Sequence, residues 1–146
     1  MSENILIAGP ITPDLITAYL KAISRRTDAG GHSFFIGQVR ADNIAGKRVK
    51  AIEYSAYEKM VRTEADKIVK MILSEFNDVK SVDILHSAGI VKAGGISLFV
   101  LVSAGHRHHA IIACGRTVEL IKEKLPVWKK EIFDDNSYEW KQNNLA

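Results

Sequence analysis

A chain of 146 residues is long enough for one domain with one hydrophobic core, and its 47% hydrophobic and 25% charged residues are typical of a folded globular protein. No run of about 18 apolar residues is present to cross a membrane, and the acidic N-terminal segment lacks the basic start of a signal peptide. The net charge of +3, without a basic stripe or a known motif, does not indicate nucleic-acid binding and better suits a small anionic substrate or an acidic partner. Cys114 is the single cysteine, so no internal disulfide can form, and a cytoplasmic location is expected.

Hydrophobic periodicity and the glycine and proline breaks divide the chain into helices and strands. In chain order the pattern predicts strand 5–8, helix 12–24, strand 33–40, a polar loop over 41–48, strand 49–56, helix 57–76, strand 79–86, a glycine-rich turn over 87–95, strand 96–104, helix 105–125, an extended or short helical segment over 127–133, a turn over 134–137 and strand 138–141. Gly37 within the second strand indicates a bulge or a close backbone approach. This order predicts an α+β fold, with about three helices on a mixed or largely antiparallel sheet, in a single domain over residues 1–146.

The stretch over 105–131 carries cations at both ends and an apolar middle, and this arrangement indicates the walls of a site for an anionic ligand. It begins with Gly-His-Arg-His-His, directly after the most apolar strand, and continues as an amphipathic helix. Pro126 ends that helix, and the sequence Trp-Lys-Lys-Glu follows over 128–131.

His106 and Arg107 are candidate anion ligands because a helix N-terminus offers free N–H groups and the positive end of the helix dipole. Arginine also binds phosphate through two parallel hydrogen bonds. A zinc site is less favoured: His106 and His109 share a helix face, but no motif supplies the remaining ligands. A solvated basic turn is the third interpretation of this short motif.

Lys122, Lys129 and Arg40 are the other candidates. Lys122 lies at the edge of the apolar helix face, and Lys129 follows the proline break, which can turn it back towards the helix. A lysine near an apolar pocket and other cations can act as an acid, a base or a nucleophile, although the sequence alone favours solvated surface lysines. Arg40 ends a strand before a loop, a position where sites are common, and the role of His86 stays open.

Motifs for nucleotide chemistry are absent from the sequence, which contains no GxxxxGK[ST] and no GxGxxG. It also lacks the GxSxG elbow of many hydrolases. ATP and dinucleotide binding are therefore not expected.

Four blocks of sequence together resemble the large, catalytic subunit of molybdopterin synthase. They are FIGQVR over 35–40, IEYSAY over 52–57, VSAGHR over 102–107 and LPVWKKE over 125–131, accompanied by His86, Gly89 and Trp140. The resemblance covers about residues 33–141, and the combination of the PxWKKE block with the strand ending in SAGHR makes it specific.

The resemblance implies an α/β hammerhead-type fold and a sulfurtransferase that acts on cyclic pyranopterin monophosphate, a phosphorylated pterin. The family enzyme installs two sulfur atoms as the dithiolene of molybdopterin, in molybdenum cofactor biosynthesis. The sulfur arrives as a thiocarboxylate at the C-terminal Gly-Gly of a small ubiquitin-like subunit, whose tail enters a pocket of the large subunit. Two large subunits form a homodimer within a heterotetramer. The resemblance implies no metal, nucleotide or other cofactor for the transfer.

By position, the resemblance assigns Lys122 and Lys129 to the catalytic lysines, and Arg40, His106 and Arg107 to the substrate pocket. Cations suit the phosphate of a pterin, and Lys122 is the first choice for the acid/base group. Two other functions are compatible with the sequence. One is a non-catalytic module that docks a ubiquitin-like partner, and the other is a phosphate-ester hydrolase that uses His106 and Arg107.

Overall fold

The computed structural model describes residues 5–142, for Gln142 the backbone only. Residues 1–4, which belong to the segment compared with a signal peptide, and the C-terminal residues 143–146 lie outside the described residues. Within the described residues the elements follow in the order β1 (Leu6–Ala8), α1 (Pro13–Ile23), β2 (Gly31–Gln38), β3 (Asn43–Ile44), β4 (Lys47–Ser55), α2 (Glu58–Glu75), β5 (Val79–Lys92), β6 (Ile96–Ala104), α3 (Arg107–Lys124), β7 (Trp128–Phe133) and β8 (Tyr138–Gln142).

The strands form a sheet in the order β2-β6-β5-β4-β7-β8, with β1 beside β5 and β3 beside β4. The β1–β5 pair is parallel and the other pairs are antiparallel. The predicted α+β class, with three helices and a largely antiparallel sheet, is therefore confirmed for the part of the chain described.

Strand β6 lies inside the sheet with both faces covered. Phe99 and Leu101 pack in a core cluster with residues of α1, whereas Val100 and Val102 pack in the larger cluster with residues of α2 and α3. Side chains alternate between the two faces of a strand. A strand covered on both faces therefore needs apolar residues at successive positions, and this explains the nearly continuous apolar sequence of β6.

Strand β5 changes partners half-way along its length. Its first part, up to His86, pairs with β6, and its last part, from Gly89 to Lys92, pairs with β4. The prediction of a strand ending at residue 86 and a turn over 87–95 was therefore wrong. Gly89 has a φ of +90°, a conformation that glycine adopts without a steric penalty, and this allows the strand to continue into the second half of the sheet.

The segment over 41–48 is a β-hairpin rather than a polar loop. Asn43 pairs with Arg48 and Ile44 with Lys47 across a two-residue turn. Both turn residues have positive φ, Ala45 at 52° and Gly46 at 80°, as in the turns that match the twist of two-residue hairpins. The apolar pattern of this segment is too short to have indicated a strand.

The predicted helices and the irregularity at Gly37 are confirmed. Thr12 caps α1, since its hydroxyl accepts the Leu15 N–H at 3.2 Å. The β2–β6 register shifts between Gly37 and Gln38, and a Cβ at Gly37 would lie 3.1 Å from Leu98 Cβ. None of the helices in the described residues is both long and apolar enough to cross a membrane.

Candidate active site

A cavity of about 500 Å³ opens where the two halves of the sheet meet. Its volume lies within the range of small-molecule sites, about 300–1,000 Å³. Its walls come from the end of β2 and the loop after it, from strands β3 to β8, and from the last turns of α3. The lining residues are Phe35, Ile36, Gly37, Gln38, Val39, Arg40, Asp42, Ile44, Ile52, Tyr54, His86, Ser97, Leu98, Lys122, Lys129, Glu131 and Lys141. Three of the five predicted site residues, Arg40, Lys122 and Lys129, thus line one cavity.

The proline break brings the two lysines to this cavity. Leu125 caps α3, its N–H donating to the Ile121 carbonyl at 3.0 Å. Pro126 cannot continue the helix, and the chain re-enters the sheet as β7, where Lys129 lies opposite Tyr54 of β4. The last turn of α3 and the first residues of β7 therefore present Lys122 and Lys129 to the same space.

Strand alternation separates the roles of the two consecutive lysines in β7. Lys129 and Glu131 face the cavity, and Lys130 points to the opposite face of the strand. There the Lys130 Nζ lies 4.2 Å from the centroid of the Tyr138 ring and 3.8 Å from Glu53 Oε1. Lys130 is accordingly a packing residue, and Lys129 is the lysine available to a ligand.

The cavity carries an excess of positive charge. Its cations are Arg40, Lys122, Lys129 and Lys141, and its carboxylates are Asp42 and Glu131. Four positive and two negative charges give a formal net charge of +2. Arg40 Nη2 lies 3.3 Å from Asp42 Oδ2, and Lys141 Nζ lies 2.8 Å from Glu131 Oε1. Lys122 and Lys129 form no ion pair with another described residue, so their charges are available to a ligand.

Both of these lysines have pKa values below the ordinary 10.5. The main cause at each is partial desolvation by the surrounding protein, which disfavours the ammonium form. At Lys129 the positive charge of Lys122 lowers the pKa further, and Glu131 partly opposes this effect. Lys122 is exposed by surface area, but it lines a concave wall that limits its hydration. A lowered pKa makes an amine better able to exchange a proton near neutral pH.

His86 is a buried wall residue of the cavity, with only 3% of its surface exposed. Its Nδ1 lies 2.8 Å from the Ser87 carbonyl oxygen, which can only accept, so Nδ1 carries the hydrogen. The ring meets the Tyr54 ring edge-on at a centroid distance of 5.1 Å. Burial and, to a smaller extent, the charges of Lys122 and Lys129 lower the pKa of His86 to about 4, despite the opposing effect of the hydrogen bond. The imidazole is therefore neutral at physiological pH, with Nε2 unprotonated.

His106 and Arg107 lie at the opposite end of α3, in a different pocket formed with Gly30, Gly105, His108 and Ile111. Asp78 occupies the helix N-terminus: its carboxylate accepts the His106 backbone N–H at 2.8 Å and lies 3.3 Å from His106 Nδ1. Partial desolvation alone would raise the pKa of Asp78, but the hydrogen bonds from His106 and the proximity of His109 bring it below the usual 3.8. One anion position at this helix end is thus filled by the chain itself.

The histidines of this turn do not assemble a metal-ligand set. In residues 5–142 no three side chains of His, Cys, Asp or Glu converge as metal ligands require. The His109 ring instead packs 5.9 Å from Phe76 and 5.6 Å from His108, measured between ring centroids.

The two ends of the helix are too far apart to hold one small ligand within a single chain. Arg107 and Lys122 are fifteen residues apart in α3, and a rise of 1.5 Å per residue separates them by about 22 Å along the axis. The expectation that both cationic ends form the walls of one site is therefore wrong for a single copy of the chain.

Sequence reasoning missed several residues of the cavity wall. Tyr54 lies in the IEYSAY block and Glu131 in the LPVWKKE block, but neither is among the predicted site residues, and Lys141 is predicted only as part of the last strand. Lys141 lies opposite Lys129 in the β7–β8 ladder, so it faces the same side. Side chains alternate along a strand, so Glu131, two residues after Lys129, is expected on the same face of β7 as Lys129. The position of Lys141 depends instead on the register of the β7–β8 hairpin, which the sequence alone does not specify.

Comparisons with known proteins agree with the fold and the residue blocks. A family model described as MoaE protein matches residues 10–124, a range that contains Arg40, His106, Arg107 and Lys122 and ends before Lys129. A molybdopterin synthase catalytic subunit of Dictyostelium discoideum is 39% identical over 146 residues, covering 98% of this chain and 92% of the relative. The chain spans 32% of the length of a Drosophila grimshawi relative with the same name.

Two solved structures have the same fold. Molybdopterin synthase from Staphylococcus aureus matches with a TM-score of 0.84 at 27% identity, covering 97% of this chain and 98% of that one. A complex of subunits 1 and 2 of molybdopterin-converting factor from Helicobacter pylori contains a chain that matches with a TM-score of 0.78 at 23% identity, covering 94% and 88%. With a family model matching most of the residues and a relative 39% identical over nearly the whole length, the chain belongs to the MoaE family, the catalytic subunits of molybdopterin synthase.

Proposed function

We propose that this chain transfers sulfur from the C-terminal thiocarboxylate of a small ubiquitin-like subunit to cyclic pyranopterin monophosphate, forming the dithiolene of molybdopterin. Membership of the family of molybdopterin synthase catalytic subunits supplies the reaction class, a sulfurtransferase of molybdenum cofactor biosynthesis. The observation that carries the proposal is the pair Lys122 and Lys129. They line one cavity, have lowered pKa values, and form no ion pair with a described residue.

The chemistry needs a group that stabilises negative charge and a group that moves protons. At the pterin a C–S bond forms and a C–O bond breaks, while the thiocarbonyl carbon of the tail exchanges its sulfur for oxygen and ends as a carboxylate. The tetrahedral adduct at that carbon carries an oxyanion, which a lysine ammonium stabilises. A second lysine, as the neutral amine, takes a proton from water and returns it to the oxygen that leaves the pterin. Lys122 is our first choice for this acid/base role.

The phosphate of the substrate is assigned to the cationic rim of the cavity. Arg40 lies on the loop after β2 with its side chain 81% exposed and paired to Asp42, so it can exchange this partner for a phosphate at little cost. Arginine favours phosphate because two parallel hydrogen bonds match the geometry of the anion. The net positive charge of the cavity supports an anionic substrate in the same way.

The partner in this proposal is the small subunit. The Helicobacter pylori structure, a complex of two subunits that contains a chain of this fold, supports such a partner. The thiocarboxylate on a C-terminal Gly-Gly and the heterotetramer are parts of the proposal that rest on the family resemblance. The single-domain organisation over residues 1–146 and the cytoplasmic location stay predictions.

His106 and Arg107 enter the proposal through the homodimer. Because about 22 Å of helix separates Arg107 from Lys122 in one chain, one pterin can touch both only if they come from different copies. We therefore propose that His106 and Arg107 of one copy complete the substrate pocket formed by Arg40, Lys122 and Lys129 of the other.

Reconstitution tests the proposed function directly. The purified chain is mixed with thiocarboxylated small subunit and cyclic pyranopterin monophosphate, and molybdopterin is measured as its fluorescent oxidation product. We expect product only when all three components are present. A chain that binds the small subunit but yields no product would be a docking module, and phosphate release from the precursor without the small subunit would identify a hydrolase.

A further inference from the structure

His86 has a hydrogen-bonding capacity that the proposed mechanism does not use. Its Nδ1–H donates to the Ser87 carbonyl oxygen, so in the neutral ring Nε2 is an acceptor with a free lone pair. Nε2 forms no hydrogen bond with another described residue, and His86, with only 3% of its surface exposed, lines the cavity. The acceptor is therefore available to a group placed in the cavity, and a ligand N–H can pair with it there.

The other polar side chains of the cavity make this acceptor distinctive. Most of them are donors or charged acceptors: the cations donate only, and the two carboxylates form ion pairs with Arg40 and Lys141. Tyr54 and Ser97 hydrogen bond to each other, and Gln38 is an exposed residue. His86 Nε2 is thus a neutral acceptor, carried by a buried residue, in a wall dominated by positive charge.

The position of His86 in the fold fixes the direction of this acceptor. The residue ends the part of β5 that pairs with β6, just before the strand passes to β4. It also pairs with Leu6 of β1, and its N–H donates to the Ile5 carbonyl at 2.8 Å. The backbone is therefore held by strands on both sides, and the ring is held by Tyr54 and Ser87. A rigidly held acceptor gives specificity because it cannot move to another partner.

We propose that His86 is a substrate-reading residue whose Nε2 accepts a hydrogen bond from an N–H donor on the pterin ring system. This inference rests on the proposed function for its ligand, a phosphorylated pterin, and adds how the ring end is recognised. The cations hold the phosphate and the reacting oxygens, and His86 selects a heterocycle with N–H groups over a sugar phosphate or another small anion. Sites that offer a buried acceptor reject analogues that lack the matching donor.

Three substitutions separate this role from a structural one. His86→Gln keeps a side-chain acceptor near the place of Nε2, whereas His86→Phe keeps the ring shape without any nitrogen. His86→Asn keeps a donor for the Ser87 carbonyl but removes the acceptor at the cavity. Thermal melting of each variant reports the effect on folding, and the Asn and Gln variants keep the test valid if the Phe variant is unstable.

Binding of cyclic pyranopterin monophosphate is measured by anaerobic calorimetry, with the full chain in complex with the unthiolated small subunit so that no turnover occurs. We expect His86→Phe and His86→Asn to weaken binding by about 10- to 100-fold, because an unpaired donor remains on the bound ligand. His86→Gln should stay within about fivefold of the wild type. In the thiocarboxylate assay KM should rise with the loss of affinity, while kcat stays within about threefold.

Wild-type affinity in both the Phe and the Asn variants would overturn the inference and leave the proposed function intact. A fall in kcat with unchanged KM would overturn it as well, since His86 would then act through the lysines. A wild-type chain that neither binds the precursor nor forms product would overturn the proposed function, and this inference with it.

Discussion

The two ends of helix α3 carry the same kind of side chain in opposite environments. At its C-terminal end Lys122 and Lys129 line a concave cavity, outside any ion pair with a described residue and with lowered pKa values. At its N-terminal end His106 is exposed and its neighbour Asp78 supplies a carboxylate at 2.8 Å. Desolvation and the lack of a counter-ion among the described residues, rather than residue type, therefore distinguish the C-terminal end, which we propose to be reactive, from the N-terminal end, which we propose to bind substrate.

The largest expected effect concerns the proposed reactive end. Lys122→Ala should lower the rate of molybdopterin formation by about 10²- to 10⁴-fold, the usual contribution of a positioned acid/base group, with the melting temperature little changed because the side chain is exposed. The matched control is Lys124→Ala, in the same last turn of α3 but outside the cavity, which should retain wild-type activity. A Lys122→Ala chain that reacts at the wild-type rate would remove this lysine from the mechanism.

Mixing two inactive variants tests whether the two ends meet across a dimer. Arg107→Ala and Lys122→Ala disable opposite ends of α3, so each alone should react poorly. If one site takes its lysine from one copy and its arginine from the other, half of the sites in a mixed dimer are intact. Since random pairing makes half of the dimers mixed, activity should recover to about a quarter of the wild type. We would measure product after co-expression and co-refolding of the two chains.

The control for this experiment is a mixture of Lys122→Ala with Lys129→Ala. These residues line the same cavity of one chain, so in a mixed dimer both sites stay damaged and no recovery is expected. Recovery in this control, or its absence in the Arg107 mixture, would contradict a shared site between copies.

How far the sequence could predict these results depends on whether the information is local. The helices and β6 are predicted by the local pattern of apolar residues. The irregularity at Gly37 is predicted by the glycine itself. The predicted end of β5 at residue 86 is too early, because the continuation of the strand past Gly89 is fixed by pairing with β4, which is a tertiary contact. The 22 Å between the helix ends was in principle available from the length of α3, but the pocket partners of each end, such as Lys141 beside Glu131, depend on strand register.

A smaller effect should appear in the coupling between the two lysines. The charge of Lys122 is, after desolvation, the main cause that lowers the pKa of Lys129. Lys122→Ala removes a neighbouring positive charge, so the ammonium form of Lys129 becomes easier to hold and its pKa should rise towards 10.5. Titration of the ¹³Cε resonance of Lys129 would report this change, and Lys124→Ala should leave it unmoved. An unchanged or lower pKa of Lys129 would show that the charge of Lys122 does not lower it in the wild type.

The smallest expected effect lies at the N-terminal end of α3, where the Asp78 carboxylate accepts the His106 backbone N–H. Because its pKa is lower in the folded chain than the ordinary 3.8, the ionised carboxylate stabilises the fold above about pH 4, and this contribution disappears as the pH falls through the folded-state pKa. Asp78→Asn keeps the shape but loses the charge opposite the His106 N–H. Its free energy of unfolding should therefore be lower than that of the wild type at pH 7, and the difference should be smaller at pH 2, where protonation of the wild-type carboxylate is favoured. Urea unfolding at the two pH values measures this difference. Asp66→Asn, an exposed position on α2, should show no such dependence. A difference for Asp78→Asn that is as large at pH 2 as at pH 7 would mean that shape rather than charge fixes this end of the helix.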